Sequence, residues 1–391
     1  MKNSVRDYLV LFSAIVFILL NATSQQAHSQ TETILYAFGT QAKDGDWPWS
    51  GVVMDGKGNL YGTTELGGAS GMGTVFEIDT AGNETVLHSF GSSGDGSHPY
   101  GSLLLDKKHN LYGTTTQGGA FGLGTVFRID RKGNESVLYS FGSQSPDGAN
   151  PYADLIMDLP GNLYGTTGGG GAFGKGTVFE LTASGQEIVL YSFGTQSGDG
   201  AAPECGLVRD TKGNLFGTTN AGGVYGQGTV FELTANGTEI VLHSFAGGSK
   251  DGSNPWAGPV MDKKGNLYGT AGGGGSHGLG IVYKVTPAGK KETVFYNFGS
   301  QSGDGQNPYA GLVMDKKGNF YGTTVVGGGF GTVYTLTPAG QLTKLYTFQN
   351  QSGDGMFPYG RILRDRRSGN LYGTTLSGGI NLSGTVFKLT P

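Results

Sequence analysis

Seven copies of one unit of about 52 residues, each with four short apolar runs, predict an all-β fold: a seven-bladed β-propeller of four-stranded antiparallel blades. The first observation behind this is spacing. The anchor Asn-(Leu/Phe)-(Tyr/Phe)-Gly-Thr places its Asn at Asn59, Asn110, Asn162, Asn214, Asn266, Asn319 and Asn370, with steps of 51, 52, 52, 52, 53 and 51 residues. The second is composition. Glycine supplies 75 of 391 residues without collagen's triplet period, while Val, Leu, Phe and Tyr recur at fixed places, so the glycines read as turn chemistry around a core.

Turn residues separate the runs, which in the third copy cover 153–158, 163–167, 177–181 and 187–193. The last run is apolar on both faces, as suits a strand held between two neighbouring sheets. A β-helix, with coils of about 20–30 residues, fits a four-strand unit poorly. By analogy with propellers of similar repeat design, the run before the Gly-Asn hairpin is innermost. The chain then opens with a fourth run at 32–38 and closes with a third run at 384–389. The opening run should therefore form the outer edge of the last blade, a one-plus-three clasp that protects the ring from an open edge.

Residues 1–29 read as a signal peptide: Lys2 and Arg6 precede an apolar run at 8–20, followed by a polar stretch to Ala27-His28-Ser29. Residues 30–391 then form a single propeller domain, secreted to the periplasm or beyond. The apolar run is short for a membrane span, so none is expected after cleavage. Cleavage takes two of the 26 basic and one of the 30 acidic residues, leaving 24 against 29. That acidity, spread along the chain, gives no footprint for nucleic acid. Cys205 is the single cysteine, which excludes an internal disulfide. The expected state is a monomer.

Asp55, Asp106, Asp158, Asp210, Asp262, Asp315 and Asp365 end the inner runs and read as turn formers rather than metal ligands. A second motif, Asp-Gly-x-x-Pro, starts at Asp44, Asp95, Asp147, Asp199, Asp251, Asp304 and Asp354. It lacks the alternating ligands and closing Glu of a calcium loop. Gly174-Lys175-Gly176 fails as a phosphate loop because Gly stands where Ser or Thr is required. After the proline come Trp49, Tyr100, Tyr152, Trp256, Tyr309 and Tyr359, with Glu204 breaking the series. These aromatics either wedge between blades or form a stacking platform near the central opening, where they would bind ligand.

Structural need is shared by all blades, so departures from the repeat carry the functional information. Glu204-Cys205, Asp154, His277 and Met356-Phe357 are the clearest. Glu204 and Asp154, on adjacent blades, are the weak candidates for acid–base chemistry on a polysaccharide. His88 and His243 occupy the outer-strand aromatic position and His109 a turn, which gives no histidine cluster for zinc or a triad. No cofactor motif is found.

The runs 161–167, 176–181 and 189–193, reading GNLYGTT, GTVFEL and VLYSF, resemble the glycine-rich GloVer tandem repeat of bacterial extracellular proteins. The resemblance covers residues 31–391 and implies secretion, but it supplies no catalytic residues. Members with sorting tails differ from this chain, which ends at Pro391 inside the last repeat, so no C-terminal anchor is expected. A looser similarity to NHL-repeat and lyase-type propellers bears on fold only. The expected function is a non-catalytic binding scaffold for a carbohydrate or a protein. The alternative is a secreted lyase or glycosidase.

Overall fold

A computed structural model describes residues 31–287, 291–349, 351 and 353–390; the segment 1–29, expected from sequence to be a signal peptide, lies outside them. Local turn chemistry starts each blade. Asp55 Oδ1 accepts the backbone N–H of Lys57, Gly58 and Asn59 at 2.8–2.9 Å, which folds the inner strand back onto the second. Blade 1 pairs Val53–Met54, Leu60–Thr64, Thr74–Ile78 and Glu84–Ser89 antiparallel in that order, and blades 2 to 6 repeat it. Blade 7 pairs Leu363–Arg364, Leu371–Thr375 and Thr385–Thr390, then takes Thr31–Ala37 as its outer strand. Thr31 lies opposite Thr390 and Ala37 opposite Thr385, so the expected clasp closes the ring. No helix among the described residues is long and apolar enough to cross a membrane.

One boundary differs from the sequence reading. The inner strand of the third copy pairs only over Ile156–Met157, not 153–158. Ahead of it, the carbonyl of Ala153 accepts the hydroxyl of Thr114 from the preceding blade at 3.2 Å, so this stretch bonds sideways around the axis. The same latch recurs from Thr63 to Gly101, Thr166 to Cys205, Thr218 to Ala257, Thr270 to Ala310 and Thr374 to Ser50.

Apolar residues meet at the seams between blades. Seven buried clusters, one per seam, each combine residues of two neighbouring blades. At every seam the Phe ending an outer strand packs edge-on against an aromatic ring of the next blade, with centroids 5.1–5.3 Å apart. The glycine of Tyr-Gly-Thr makes room for that second ring: a Cβ on Gly165 would stand 2.7 Å from Phe179 Cζ. Nearer the axis the backbones touch, since a Cβ on Gly258 would lie 1.9 Å from the Gly206 carbonyl oxygen.

Candidate functional site

The glycine-rich loops and the Asp-Gly-x-x-Pro loops share one rim. In blade 1 they join as a short ladder of Gly45–Asp46 with Leu66–Gly67, and five other blades repeat it. The motif's Asp fixes this corner, as the turn reading expects. Asp199 Oδ2 accepts the Tyr191 hydroxyl at 2.9 Å and the backbone N–H groups of Gly194 and Thr195 at 2.7 and 3.0 Å. The residue before each proline then adopts a left-handed conformation, and the chain turns inward, delivering the next side chain to the axis.

Those side chains line one central cavity of about 580 Å³. All six aromatics read from the sequence are there, half-buried against one another, with Trp256 the most open at 46%. Their rings form a continuous arc: Tyr152 to Tyr100 at 5.3 Å, Tyr100 to Trp49 at 5.3 Å, Trp49 to Tyr359 at 4.6 Å, Tyr359 to Tyr309 at 5.9 Å and Tyr309 to Trp256 at 6.0 Å. Glu65 anchors the arc by accepting the Trp49 indole N–H at 2.5 Å. Glu204 fills the seventh place, between Trp256 and Tyr152. Burial pushes its carboxyl above the ordinary glutamate range, partly offset by the Asn220 amide donated at 3.3 Å.

Asp154 lines the same cavity, so the two carboxylates singled out by sequence do share one site. Its Oδ1 accepts the Ser102 N–H at 2.6 Å, and its Oδ2 lies 3.9 Å from Arg361 Nη2. Arg361 belongs to blade 7 and Asp154 to blade 3, as far apart as a ring of seven permits, so this pair crosses the central axis. Sequence reasoning missed Arg361. It stands in one column of the repeat with Gly51, Ser102, Asp154, Gly206, Gly258 and Gly311, and alignment of the copies marks it as the second large departure.

Cys205 offers no nucleophile. It is buried, its thiol lies 3.3 Å from the Pro255 carbonyl, and burial pushes it up to about 12. His277 and Phe357 sit in rim loops and do not line the cavity. The fold places His88 and His243 each beside two carboxylates, one from its own loop and one distant in sequence: His88 with Asp95 and Glu135, and His243 with Asp251 and Glu292. The third member comes from the next blade, which local spacing does not reveal.

No curated protein matches the chain. Among solved structures, it resembles the extracellular domain of a candidate hybrid two component system from B. thetaiotaomicron, with a TM-score of 0.60 and 10% identity over 91% of this chain and 39% of that one. It also resembles PorZ, a bacterial surface component of the type-IX secretion system of Porphyromonas gingivalis, with a TM-score of 0.58 and 14% identity over 89% of this chain and 47% of that one. A third, a candidate 6-phosphogluconolactonase from Bacteroides uniformis, gives 0.50 and 15% over 81% of this chain and 88% of that one. The chain spans about two fifths of the length of the first. At these identities the likeness is one of fold. The repeat itself is specific: the model of the Gloeobacter/Verrucomicrobia repeat matches residues 21–211 and 205–391. From end to end of its propeller, the chain belongs to the Gloeobacter/Verrucomicrobia repeat family.

Proposed function

We propose that residues 30–391 act outside the cytoplasm as a single, monomeric propeller that binds a carbohydrate in its central cavity without transforming it. One observation carries this: six contiguous aromatic rings line one cavity together with Glu204, Asp154 and Arg361. Aromatic faces accept the C–H faces of sugars, and a few fixed charged groups among apolar walls pair with hydroxyls. The cavity volume lies within the usual range for small ligands, about 300–1,000 Å³. Two structural neighbours are an extracellular domain and a surface component, which agrees with an extracytoplasmic place. Binding of the mature protein to a panel of glycans and polysaccharides tests the proposal. A specific ligand should be retained by the wild type and weakened at least tenfold in a folded Trp49→Ala, Trp256→Ala variant. No binding to any glycan overturns the carbohydrate reading and favours a protein partner.

A hydrolase or lyase is the second reading. What favours it is the contrast between Glu204, whose carboxyl is pushed toward the protonated form by burial, and Asp154, held beside a guanidinium. Turnover of a bound glycan that is abolished by Glu204→Gln and kept by Glu187→Gln would establish it in place of the scaffold.

A further inference from the structure

Outside the cavity, each seam between blades repeats one polar arrangement, and two seams break it in a correlated way. Five outer strands carry a tyrosine facing the Asp-Gly loop: Tyr36, Tyr139, Tyr191, Tyr296 and Tyr346. Each of these five loops has a glutamine three residues before its aspartate: Gln41, Gln144, Gln196, Gln301 and Gln351. Gln144 and Gln196 donate their amides to Glu187 and Glu239, which open the outer strand of the following blade. In the other two seams the tyrosine is His88 or His243, and the glutamine position holds Ser92 or Gly248. The phenol and the amide are thus lost together, leaving an imidazole beside two carboxylates.

At both places the geometry is the same. His88 Nε2 lies 3.0 Å from Asp95 Oδ2, and His243 Nε2 lies 3.1 Å from Asp251 Oδ2. One ligand atom from each of His88, Asp95 and Glu135 falls within 4.8 Å of the others, as do those of His243, Asp251 and Glu292. Glu135 Oε1 and Glu292 Oε1 are buried without a hydrogen-bond partner. Such an oxygen also occurs in seams that keep tyrosine, so the distinguishing feature is the imidazole, with no glutamine side chain present to occupy the space at the carboxylates. Both aspartates are already held rigid by their loops, Asp95 by the N–H of Gly91 and Gly96 and Asp251 by the N–H of Ala246 and Gly252. Those backbone bonds fix the direction of each carboxylate, as a metal ligand requires.

We propose that these two seams each bind a divalent first-row transition ion, with zinc the expected occupant, through the His Nε2, the loop Asp and the Glu of the next blade. One imidazole and two carboxylates suit zinc, with metal–ligand distances of about 2.0–2.2 Å and a fourth position for water. Closing the donors to the tetrahedral spacing of about 3.4 Å requires only small side-chain shifts. Each ion ties two adjacent blades, on seams 1/2 and 4/5. The site is independent of the central cavity and of the proposed carbohydrate binding.

The test is metal content of the full mature chain, stripped with chelator, loaded with excess zinc or cobalt, dialysed and measured by mass spectrometry. Two ions per chain are expected, one in His88→Tyr and none in the His88→Tyr, His243→Tyr double variant. Tyrosine is what the sister seams carry at this position, so these variants should keep the fold, which circular dichroism checks. Should the double variant not fold, Glu135→Gln with Glu292→Gln removes a ligand from each site and should likewise leave no bound ion. Less than half an ion per wild-type chain, or two ions retained in a folded double variant, overturns the proposal.

Discussion

At the scale of single residues, the most constrained position is the one before each proline of the Asp-Gly-x-x-Pro loop. Trp47, His98, Asn150, Ala202, Asn254, Asn307 and Phe357 all have φ between 53° and 61°. A residue before proline ordinarily favours extended backbone, so the loop reading from sequence had the turn but not this conformation. Two backbone bonds hold it: Ala202 N–H donates to Lys175 of the preceding blade at 3.0 Å, and its carbonyl accepts from Asn220 at 3.0 Å. Asparagine suits the site, since it tolerates positive φ and Asn150 and Asn307 also donate their side-chain amides to Thr116 and Gly272 of the preceding blades at 2.9 Å. Ala202→Asn should therefore stabilise the protein by about 1 kcal/mol, read as a higher denaturant midpoint with an unchanged slope. A lower midpoint would show that the left-handed backbone is not the limiting strain there.

Among elements, the inner strands hold to their neighbours through the threonine latch rather than through long ladders. Thr374 closes the ring by donating to the Ser50 carbonyl at 2.6 Å, while the equivalent hydroxyl of Thr323 is buried and has no partner. The two positions should respond oppositely to the same substitution. Thr374→Val removes a buried bond and should cost about 1–3 kcal/mol, whereas Thr323→Val removes an unsatisfied polar group and should be neutral or stabilising. Equal losses of stability in both variants, measured by equilibrium denaturation, would mean that side-chain shape matters more than the latch. The sequence marks the Gly-Thr pair in every copy, yet a hydroxyl's partner on the next blade is invisible until the blades are packed.

For the whole molecule, the seams collect carboxyl groups that set its response to pH. Burial, reinforced by repulsion from a seam aspartate, pushes Glu32, Glu84, Glu187 and Glu292 up to about 7. In the unfolded chain these groups release their protons near the ordinary glutamate value of 4.5. Between the two the native state binds more protons, so stability falls as pH rises from about 4.5 to about 7 and stays lower above it. Denaturation midpoints in the absence of metal should be higher at pH 5 than at pH 8, and Glu84→Gln with Glu187→Gln should reduce the difference. A flat or rising profile would contradict this assignment.

The chain's own sequence determined the blade count, the order of strands, the clasp and the residues of the aromatic arc, because period and turn chemistry are local and the repeat states them seven times. It also marked Glu204 and Asp154, since a departure from a repeat is visible by comparison with its sisters. Only the tertiary structure decided that the aromatics join as one arc on a cavity, that Asp154 meets Arg361 across the axis, and that His88 and His243 each face a carboxylate from the following blade. Those contacts join residues on different blades, and their distances are fixed by the curvature and closure of the ring.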